Sequence, residues 1–96
     1  MRILITYDVS TVTKPGRRRL RRIAKACLDY GQRVQYSVFE CKLDPTEWVK
    51  LKARLLKEYD QKEDSLRFYP IGEDDFTRME HYGVRQPVDL DEPLII

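Results

Sequence analysis

The sequence has few of the residues that build metal centres and covalent frameworks. It contains one histidine and two cysteines in 96 residues, and Cys27 and Cys41 do not form a CxxC pair. A zinc site therefore lacks ligands, and a disulfide framework lacks cysteines. Ser37 has no accompanying histidine motif, so a serine-nucleophile triad is disfavoured, and we interpret the single histidine, His81, as a surface residue.

Long apolar segments are missing as well. No apolar run approaches the ~18 residues of a membrane-spanning helix, and no signal peptide or lipidation motif is present. We therefore predict a cytoplasmic protein with no membrane partner. With 42% hydrophobic and 35% charged residues, the composition is that of a folded domain with a heavily charged surface. Ninety-six residues suffice for one modest core, so residues 1–96 are predicted to form a single domain.

Positive charge is concentrated in the first third of the chain. Residues 1–33 hold nine Lys or Arg against two acidic residues, whereas the remainder holds nine basic and fourteen acidic residues. The formal net charge of +2 conceals this asymmetry. A local positive field favours an anionic partner that binds one face of the molecule.

Strand and helix patterns alternate along the chain. Strands are predicted at 2–7, 33–43 and 65–71, and helices at about 15–30 and 45–59. The first strand should be buried on both faces, because Ile3, Leu4 and Ile5 are consecutive. The alternation predicts two helices that share one face of a sheet, so the other face meets water or another copy of the chain.

Each predicted helix has boundary signals and one apolar stripe. Thr13 is a candidate cap of the first helix, Gly31 is placed to end it in a left-handed conformation, and Asp44 with Glu47 forms a capping-box pattern. The first stripe comprises Leu20, Ile23, Ala24, Cys27 and Leu28, and the second comprises Trp48, Leu51, Leu55, Leu56 and Tyr59. Cys27 is thus predicted to be a buried thiol. After Gly72 the pattern weakens, and only Leu94–Ile96 suggests a short strand, added to a sheet edge of this chain or of a partner.

Asp8 follows the first predicted strand and is the strongest candidate for chemistry. A carboxylate at the exit of a buried strand is held rigidly yet reaches solvent, so it can hold a metal ion. The alternative is that it only accepts backbone hydrogen bonds in the following loop. One carboxylate is a small number of protein ligands for magnesium. A twofold dimer would supply two carboxylates, and a metal ion shared between them would activate a water molecule for attack on a phosphodiester.

Arginine fills five of the six positions 17–22, with no acidic residue among them. Like charges at helical spacing repel, by about 0.2–0.5 kcal/mol per pair, which suggests a use for them. A solvated charged face is the alternative, but we favour a nucleic-acid contact surface without base readout. Its candidate residues are Arg17, Arg18, Arg19, Arg21, Arg22 and, at the second strand, Arg33. Tyr7, Tyr36 and Phe39 could stack on bases, but strand aromatics more often lie in a core or an interface.

Three segments together resemble the Cas2 family of CRISPR-associated proteins. They are YDVS at residues 7–10, the arginine-rich first helix that ends at Tyr30-Gly31, and RVQYSVFEC at residues 33–41. The resemblance implies a ferredoxin-like βαββαβ fold of the α+β class: a four-stranded antiparallel sheet with two helices on one face. This fold requires a chain reversal near Tyr36-Ser37, where the residues alone give no turn signal. It also implies a core at 1–71 and an extension at 72–96 that contacts the partner of a homodimer.

The same resemblance implies a function and its residues. Such proteins are described as magnesium-dependent endonucleases acting on single-stranded RNA or double-stranded DNA. Asp8 matches the metal-site aspartate, which would face its copy across the dimer, and Tyr7 matches the flanking catalytic aromatic. Arg33 and Phe39 match residues that act on nucleic acid, and Arg19 and Arg22 are the favoured helix arginines. The family also implies an alternative, in which a non-catalytic dimer bridges subunits of the Cas1 integrase and supports DNA during spacer integration.

Overall fold

The sheet and its two helices follow the predicted order. The computed structural model describes residues 1–72 and 79–84. The elements are β1 (Arg2–Asp8), α1 (Lys14–Tyr30), β2 (Gly31–Gln35), β3 (Val38–Lys42), α2 (Pro45–Glu58), β4 (Ser65–Ile71) and β5 (Glu80–Gly83). The strands form one sheet in the order β2-β3-β1-β4-β5, and all neighbouring strands are antiparallel. This arrangement confirms the ferredoxin-like α+β fold with an additional C-terminal strand.

Only one face of the central strand β1 is buried within the chain. Ile3 and Ile5 are fully buried and Tyr7 is nearly so, whereas Leu4 and Thr6 are partly exposed. The prediction that β1 is buried on both faces is therefore wrong for a single chain. The reason is that both helices pack on one side, where Ile23, Leu51 and Leu55 complete the core. We call the other side, which carries Leu4 and Thr6, the open face.

Both helices begin with the predicted caps. The Thr13 hydroxyl accepts a hydrogen bond from the Gly16 amide at 3.2 Å. A Cβ on Gly16 would lie 2.0 Å from the Ser10 carbonyl oxygen, so the loop before α1 packs directly against the first helical turn. At α2, Asp44 and Glu47 each accept the other's backbone N–H, at 2.7 and 3.1 Å, which confirms the capping box.

Gly31 does not end α1 in the way the sequence predicts. Its φ and ψ are −156° and −164°, an extended conformation, and it is the first residue of β2. Glycine is required there by close approach: an added Cβ would lie 2.3 Å from the Cys41 Sγ and 2.6 Å from the Glu40 carbonyl oxygen. The left-handed cap predicted at Gly31 is therefore wrong, because the position needs space and not a positive φ.

The chain reverses at Tyr36-Ser37, so the single strand predicted over 33–43 is wrong and the reversal implied by the family is confirmed. Among the described residues, none other than glycine has a positive φ. The turn therefore lacks the left-handed residues that a sequence motif would reveal. Contacts with β1 hold it instead, because the Tyr7 amide donates to the Ser37 carbonyl at 3.1 Å and the Tyr7 hydroxyl donates to the Tyr36 carbonyl at 3.2 Å.

The helix stripes are confirmed in part. Ile23 and Cys27 are fully buried as predicted, but Leu28 is half exposed and Ala26 is buried in its place. In α2, Leu51 and Leu55 are fully buried, while Trp48, Leu56 and Tyr59 are partly buried against the core. Cys27 and Cys41 are both buried free thiols.

Strand β5 lies in the part of the chain whose form the sequence left open. It pairs with β4, and Lys52 of α2 forms an ion pair with Glu80, which also accepts a hydrogen bond from the Tyr82 hydroxyl. His81 is half-buried and its Nδ1 accepts a hydrogen bond from the Arg67 Nε, so it is not the surface residue predicted. The strand predicted at 94–96 lies outside the described residues. None of the described helices is both long and apolar enough to cross a membrane.

Candidate metal site and nucleic-acid surface

Asp8 is the last residue of β1, which extends one residue beyond the strand predicted at 2–7. It pairs in register with Ser65 of β4, and its side chain is exposed. Side chains alternate along a strand, so Asp8 shares the open face with Leu4 and Thr6, while Tyr7 points toward the helices. The candidate metal ligand therefore lies at the end of the central strand, on the side that the helices leave uncovered.

A single chain supplies little of a metal site. Among residues 1–72 and 79–84, no group of three or more His, Cys, Asp or Glu side chains is close enough to hold an ion. Magnesium retains several water ligands and can be bound through one or two carboxylates. The described donor set therefore fits a magnesium ion that keeps most of its water ligands, and the Asp8 of a copy across a twofold axis would supply a second carboxylate.

Tyr7 is positioned as a core residue. Its exposed fraction is 6%, its ring stacks on Phe39 with centroids 6.1 Å apart, and its hydroxyl donates to the Tyr36 carbonyl. Burial raises the pKa of the Tyr7 phenol, and nearby Arg33 offsets only part of this increase. At neutral pH the group is thus a neutral phenol whose proton is already committed to a backbone carbonyl.

Phe39 and Arg33 form a second contact at the same place. Phe39 is fully buried, and the Arg33 guanidinium carbon lies 5.1 Å from its ring centroid. The ring is enclosed by Tyr7 and Arg33, so it has no face available for stacking on a base. The direct nucleic-acid contact predicted for Phe39 conflicts with this burial, whereas Arg33 remains exposed. Phe39 can act only by holding its two neighbours.

The arginines of α1 do not act as one surface. The Arg19 side chain is only 17% exposed and forms ion pairs with Asp64 at 2.8 Å and Glu63 at 3.0 Å. The hydrogen bond to Asp64 raises the pKa of Arg19 further. Arg17 donates to the Thr11 carbonyl at 3.1 Å, which leaves it at the loop before the helix. No local pattern indicates that acidic residues distant in the chain lie beside Arg19.

Four other cations of α1 lie beside α2 and form a groove of about 310 Å³. We call this the basic groove, and its lining residues are Arg18, Arg21, Arg22, Lys25, Arg54 and Glu58. Arg22 contacts Glu58 at 3.6 Å, and Arg54 contacts Asp29 at 2.9 Å. The sequence prediction did not include Arg54, which lies three residues after the buried Leu51 and therefore beside the apolar stripe of α2.

The basic groove and Asp8 thus lie on different layers. The groove belongs to the helix layer, whereas Asp8 lies on the open face at the end of β1. They are connected through the loop at residues 9–13, which joins β1 to α1. A small α+β domain with a carboxylate at the end of its central strand and a cationic helix layer has the features expected of a protein that binds nucleic acid.

Comparison with known proteins identifies the family. Residues 1–79 match the family model described as CRISPR associated protein Cas2. The chain is 59% identical over 96 residues to the CRISPR-associated endoribonuclease Cas2 of Chlorobaculum tepidum, with all of both chains covered. It is 50% identical over 95 residues to the CRISPR-associated endonuclease Cas2 of Halalkalibacterium halodurans, with 99% of each covered. This protein belongs to the Cas2 family.

A solved structure agrees with this assignment. The crystal structure of Streptococcus pyogenes Cas2 at pH 6.5 superposes with a TM-score of 0.70 at 54% sequence identity. The superposition covers 86% of this chain and 100% of the other. The Cas2 resemblance and the fold that it implied are therefore confirmed.

Proposed function

We propose that this protein is a magnesium-dependent endonuclease that hydrolyses phosphodiester bonds of single-stranded RNA or double-stranded DNA in the spacer-acquisition stage of CRISPR defence. The observation that carries the proposal is the exposed Asp8 carboxylate on the open face, at the end of the central strand. The names of the relatives, endoribonuclease and endonuclease, support it. We expect the protein to act in the cytoplasm.

The active unit is a homodimer formed through the open face. That face carries the partly exposed Leu4 and Val38, while Val34 at the irregularity of β2 is 48% exposed and Tyr36 at the adjoining turn is 91% exposed. Apolar side chains on an uncovered sheet face favour burial against a second copy. A twofold axis through this face brings the two Asp8 side chains toward each other, so that one magnesium ion is shared.

Each group of the chain then has one task. The two Asp8 carboxylates would hold the ion, and Arg33 with the cations of the basic groove would bind phosphate oxygens. Tyr7 and Phe39 fix the end of β1 and the direction of Arg33 from within the core. When bound, magnesium supplies a Lewis acid that polarises a phosphoryl oxygen and lowers the pKa of a coordinated water.

The test is magnesium-dependent cleavage of labelled single-stranded RNA and duplex DNA by wild type and Asp8→Asn. Asp8→Asn should abolish cleavage, while its nucleic-acid affinity stays within about twofold of wild type, because the phosphate contacts are unchanged. Asp29→Asn is the matched control, since Asp29 is an acidic side chain paired with Arg54 on the helix layer, and it should keep cleaving. Cleavage that survives in Asp8→Asn overturns the proposal.

One observation favours a second function, that of a dimeric adaptor that bridges Cas1 subunits and supports DNA. The basic groove lies on the helix layer, so DNA bound there need not approach Asp8. An adaptor requires the groove and not the carboxylate. If the protein is an adaptor, the Asp8→Asn variant should still support spacer acquisition in cells. The Arg22→Glu variant should weaken both DNA binding and acquisition. Loss of acquisition in a folded, dimeric Asp8→Asn variant contradicts the adaptor function.

A further inference from the structure

Asp64 is a fully buried carboxylate for which the proposed reaction has no direct use. It precedes β4, and its side chain is 0% exposed. Its oxygens accept hydrogen bonds from the Ser10 amide at 3.0 Å, the Asp60 amide at 2.9 Å and the Arg19 Nε at 2.8 Å, with the Arg19 Nη2 at 3.4 Å. Three separate segments of the chain are thus connected through one carboxylate.

The backbone of Asp64 connects a fourth segment. Its carbonyl oxygen accepts from the Val84 amide at 3.1 Å, just after β5. A Cβ on Gly83 would lie 2.0 Å from that oxygen, and Gly83 has a φ of +112°, so glycine is needed for both its conformation and its space. The end of β5 is therefore held against Asp64 at the same point where α1 and the loop after β1 are held.

These contacts involve the residues next to Asp8 in the chain and in the sheet. The neighbour of Asp64, Ser65, pairs in register with Asp8, and Ser10 lies two residues beyond Asp8 in the chain. The Ser10 carbonyl is in turn pressed against Gly16 of α1. The path of the chain on leaving β1 is therefore set by the Asp64 carboxylate, while Asp8 itself stays exposed on the open face.

Arg19 is the partner that makes this buried carboxylate tolerable. A buried charge that loses its partner is strongly destabilising, so the Arg19 guanidinium is committed to Asp64. The Arg19 side chain is 17% exposed, whereas that of Arg22 on the same helix is 61% exposed and touches Glu58 only at 3.6 Å. Two arginines of one cluster thus have different environments, one enclosed and one open to solvent.

We propose that Arg19 and Asp64 are a pair of positioning residues that fix the exit of β1 and thereby the geometry of Asp8, and that Arg19 does not contact phosphate. The part that concerns Asp8 rests on the proposed endonuclease function. The pair acts on the reaction through the Ser10 amide and the Asp8–Ser65 register, without touching the substrate.

The first test compares nucleic-acid binding by Arg19→Gln with that by the matched control Arg22→Gln in the full-length protein. A lost phosphate contact reduces the slope of log affinity against log salt by about 0.9 on duplex DNA. Arg22→Gln should show this reduction, and Arg19→Gln should keep the wild-type slope. A reduction in Arg19→Gln equal to that in Arg22→Gln overturns the proposal, because it would make Arg19 a phosphate ligand.

The second test measures cleavage kinetics of Arg19→Gln, Asp64→Asn and the double variant. Each single variant should lower kcat by tenfold or more with KM within twofold, because binding is retained and the Asp8 geometry is lost. The double variant should be no worse than the worse single variant, since two residues that act as a pair have non-additive effects. An unchanged kcat, or effects that multiply in the double variant, overturns the proposal. If a single variant does not fold, the double variant, which lacks both charges of the pair, is compared with wild type in the binding test and in the kinetic test.

The endonuclease function and the positioning role of Arg19 can fail independently. If wild type cleaves and Asp8→Asn does not, the endonuclease function stands whatever Arg19→Gln does. If neither cleaves, amide hydrogen exchange at Ser10 replaces the kinetic test, and it should be faster in Arg19→Gln than in Arg22→Gln. Unchanged exchange at Ser10 then overturns the positioning role.

Discussion

Tyr7 and Asp8 are neighbours in the chain, yet they face opposite sides of the sheet and have opposite environments. Asp8 is exposed on the open face, whereas the Tyr7 ring is stacked on Phe39 beneath the helices. The sequence predicted a chemical role for both because the resemblance pairs them. The structure separates them, since the Tyr7 phenol is buried and its hydroxyl donates to the Tyr36 carbonyl.

Tyr7→Phe tests this separation. The substitution removes the hydroxyl bond to the Tyr36 carbonyl and keeps the stacked ring, so the free energy of unfolding should fall by about 1 kcal/mol. The cleavage rate should fall by far less than the ~100-fold expected when a proton-transfer group is lost. Urea unfolding and steady-state kinetics measure the two effects, and a loss of ~100-fold or more in kcat with normal stability would make Tyr7 a catalytic residue.

The buried thiols give a pH dependence of stability. Burial raises the pKa of Cys27 to about 12 and that of Cys41 to about 11, above the ordinary value of 9.0. A raised pKa in the folded state means that stability is fully present below pH 9 and is lost as the pH rises toward the folded values. The free energy of unfolding should therefore decline above pH 9, by up to about 1.4 kcal/mol per pH unit for each thiol.

A double Cys27→Ala, Cys41→Ala variant is the control for that decline. It should show a clearly shallower loss of stability between pH 9 and 11 than wild type, when both are followed by urea unfolding at each pH. Equal slopes for the two proteins would show that the thiols do not stay protonated in the fold.

At the scale of elements, local signals predicted the helices and their starts, because caps are formed by residues three apart in the chain. The capping box of Asp44 and Glu47 is an example. The hairpin between β2 and β3 was not predictable in this way, since its turn is held by Tyr7, which lies 29 residues from Tyr36. The ion pair of Arg19 with Asp64 joins residues 45 positions apart in the chain, so no local pattern predicted it either.

Gly31→Ala tests the close approach at the start of β2. The added methyl would overlap the Cys41 Sγ and the Glu40 carbonyl, although the extended backbone at Gly31 suits any residue. Overpacking of this kind should lower the free energy of unfolding by about 1–3 kcal/mol. In a Cys41→Ala background the cost should be smaller but not zero, because the Glu40 carbonyl remains. A neutral effect on thermal or urea unfolding would contradict the contact.

At the scale of the whole molecule, the uncovered side of the sheet is the feature that a single chain leaves unexplained. The residues predicted helices on one face, and the structure confirms that the other face carries partly exposed apolar side chains. The dimer stays a prediction, because it depends on a second chain. The extension at 72–96 is described only at Gly72 and 79–84, where β5 pairs within its own chain, so its contact with a partner also stays a prediction.

Val34→Asp tests the open face as the dimer interface. Val34 is 48% exposed in β2, the edge strand next to the turn at Tyr36, and a charge buried there between two copies would lack a partner. The variant should be monomeric in sedimentation at concentrations where wild type is dimeric. Val49→Asp is the control, because Val49 is 66% exposed on α2 and should leave the dimer intact. A dimeric Val34→Asp protein would place the interface elsewhere.

The proposed function requires that two Asp8 side chains, one from each subunit, hold one metal ion between them. The most direct measurement is the magnesium-dependent cleavage rate of subunit-exchanged mixtures of wild type and Asp8→Asn at constant total protein. If the site is shared, only dimers with two Asp8 residues cleave, so the rate follows the square of the wild-type fraction and an equal mixture retains about one quarter of the activity. A rate that falls in direct proportion to the wild-type fraction would contradict the shared site.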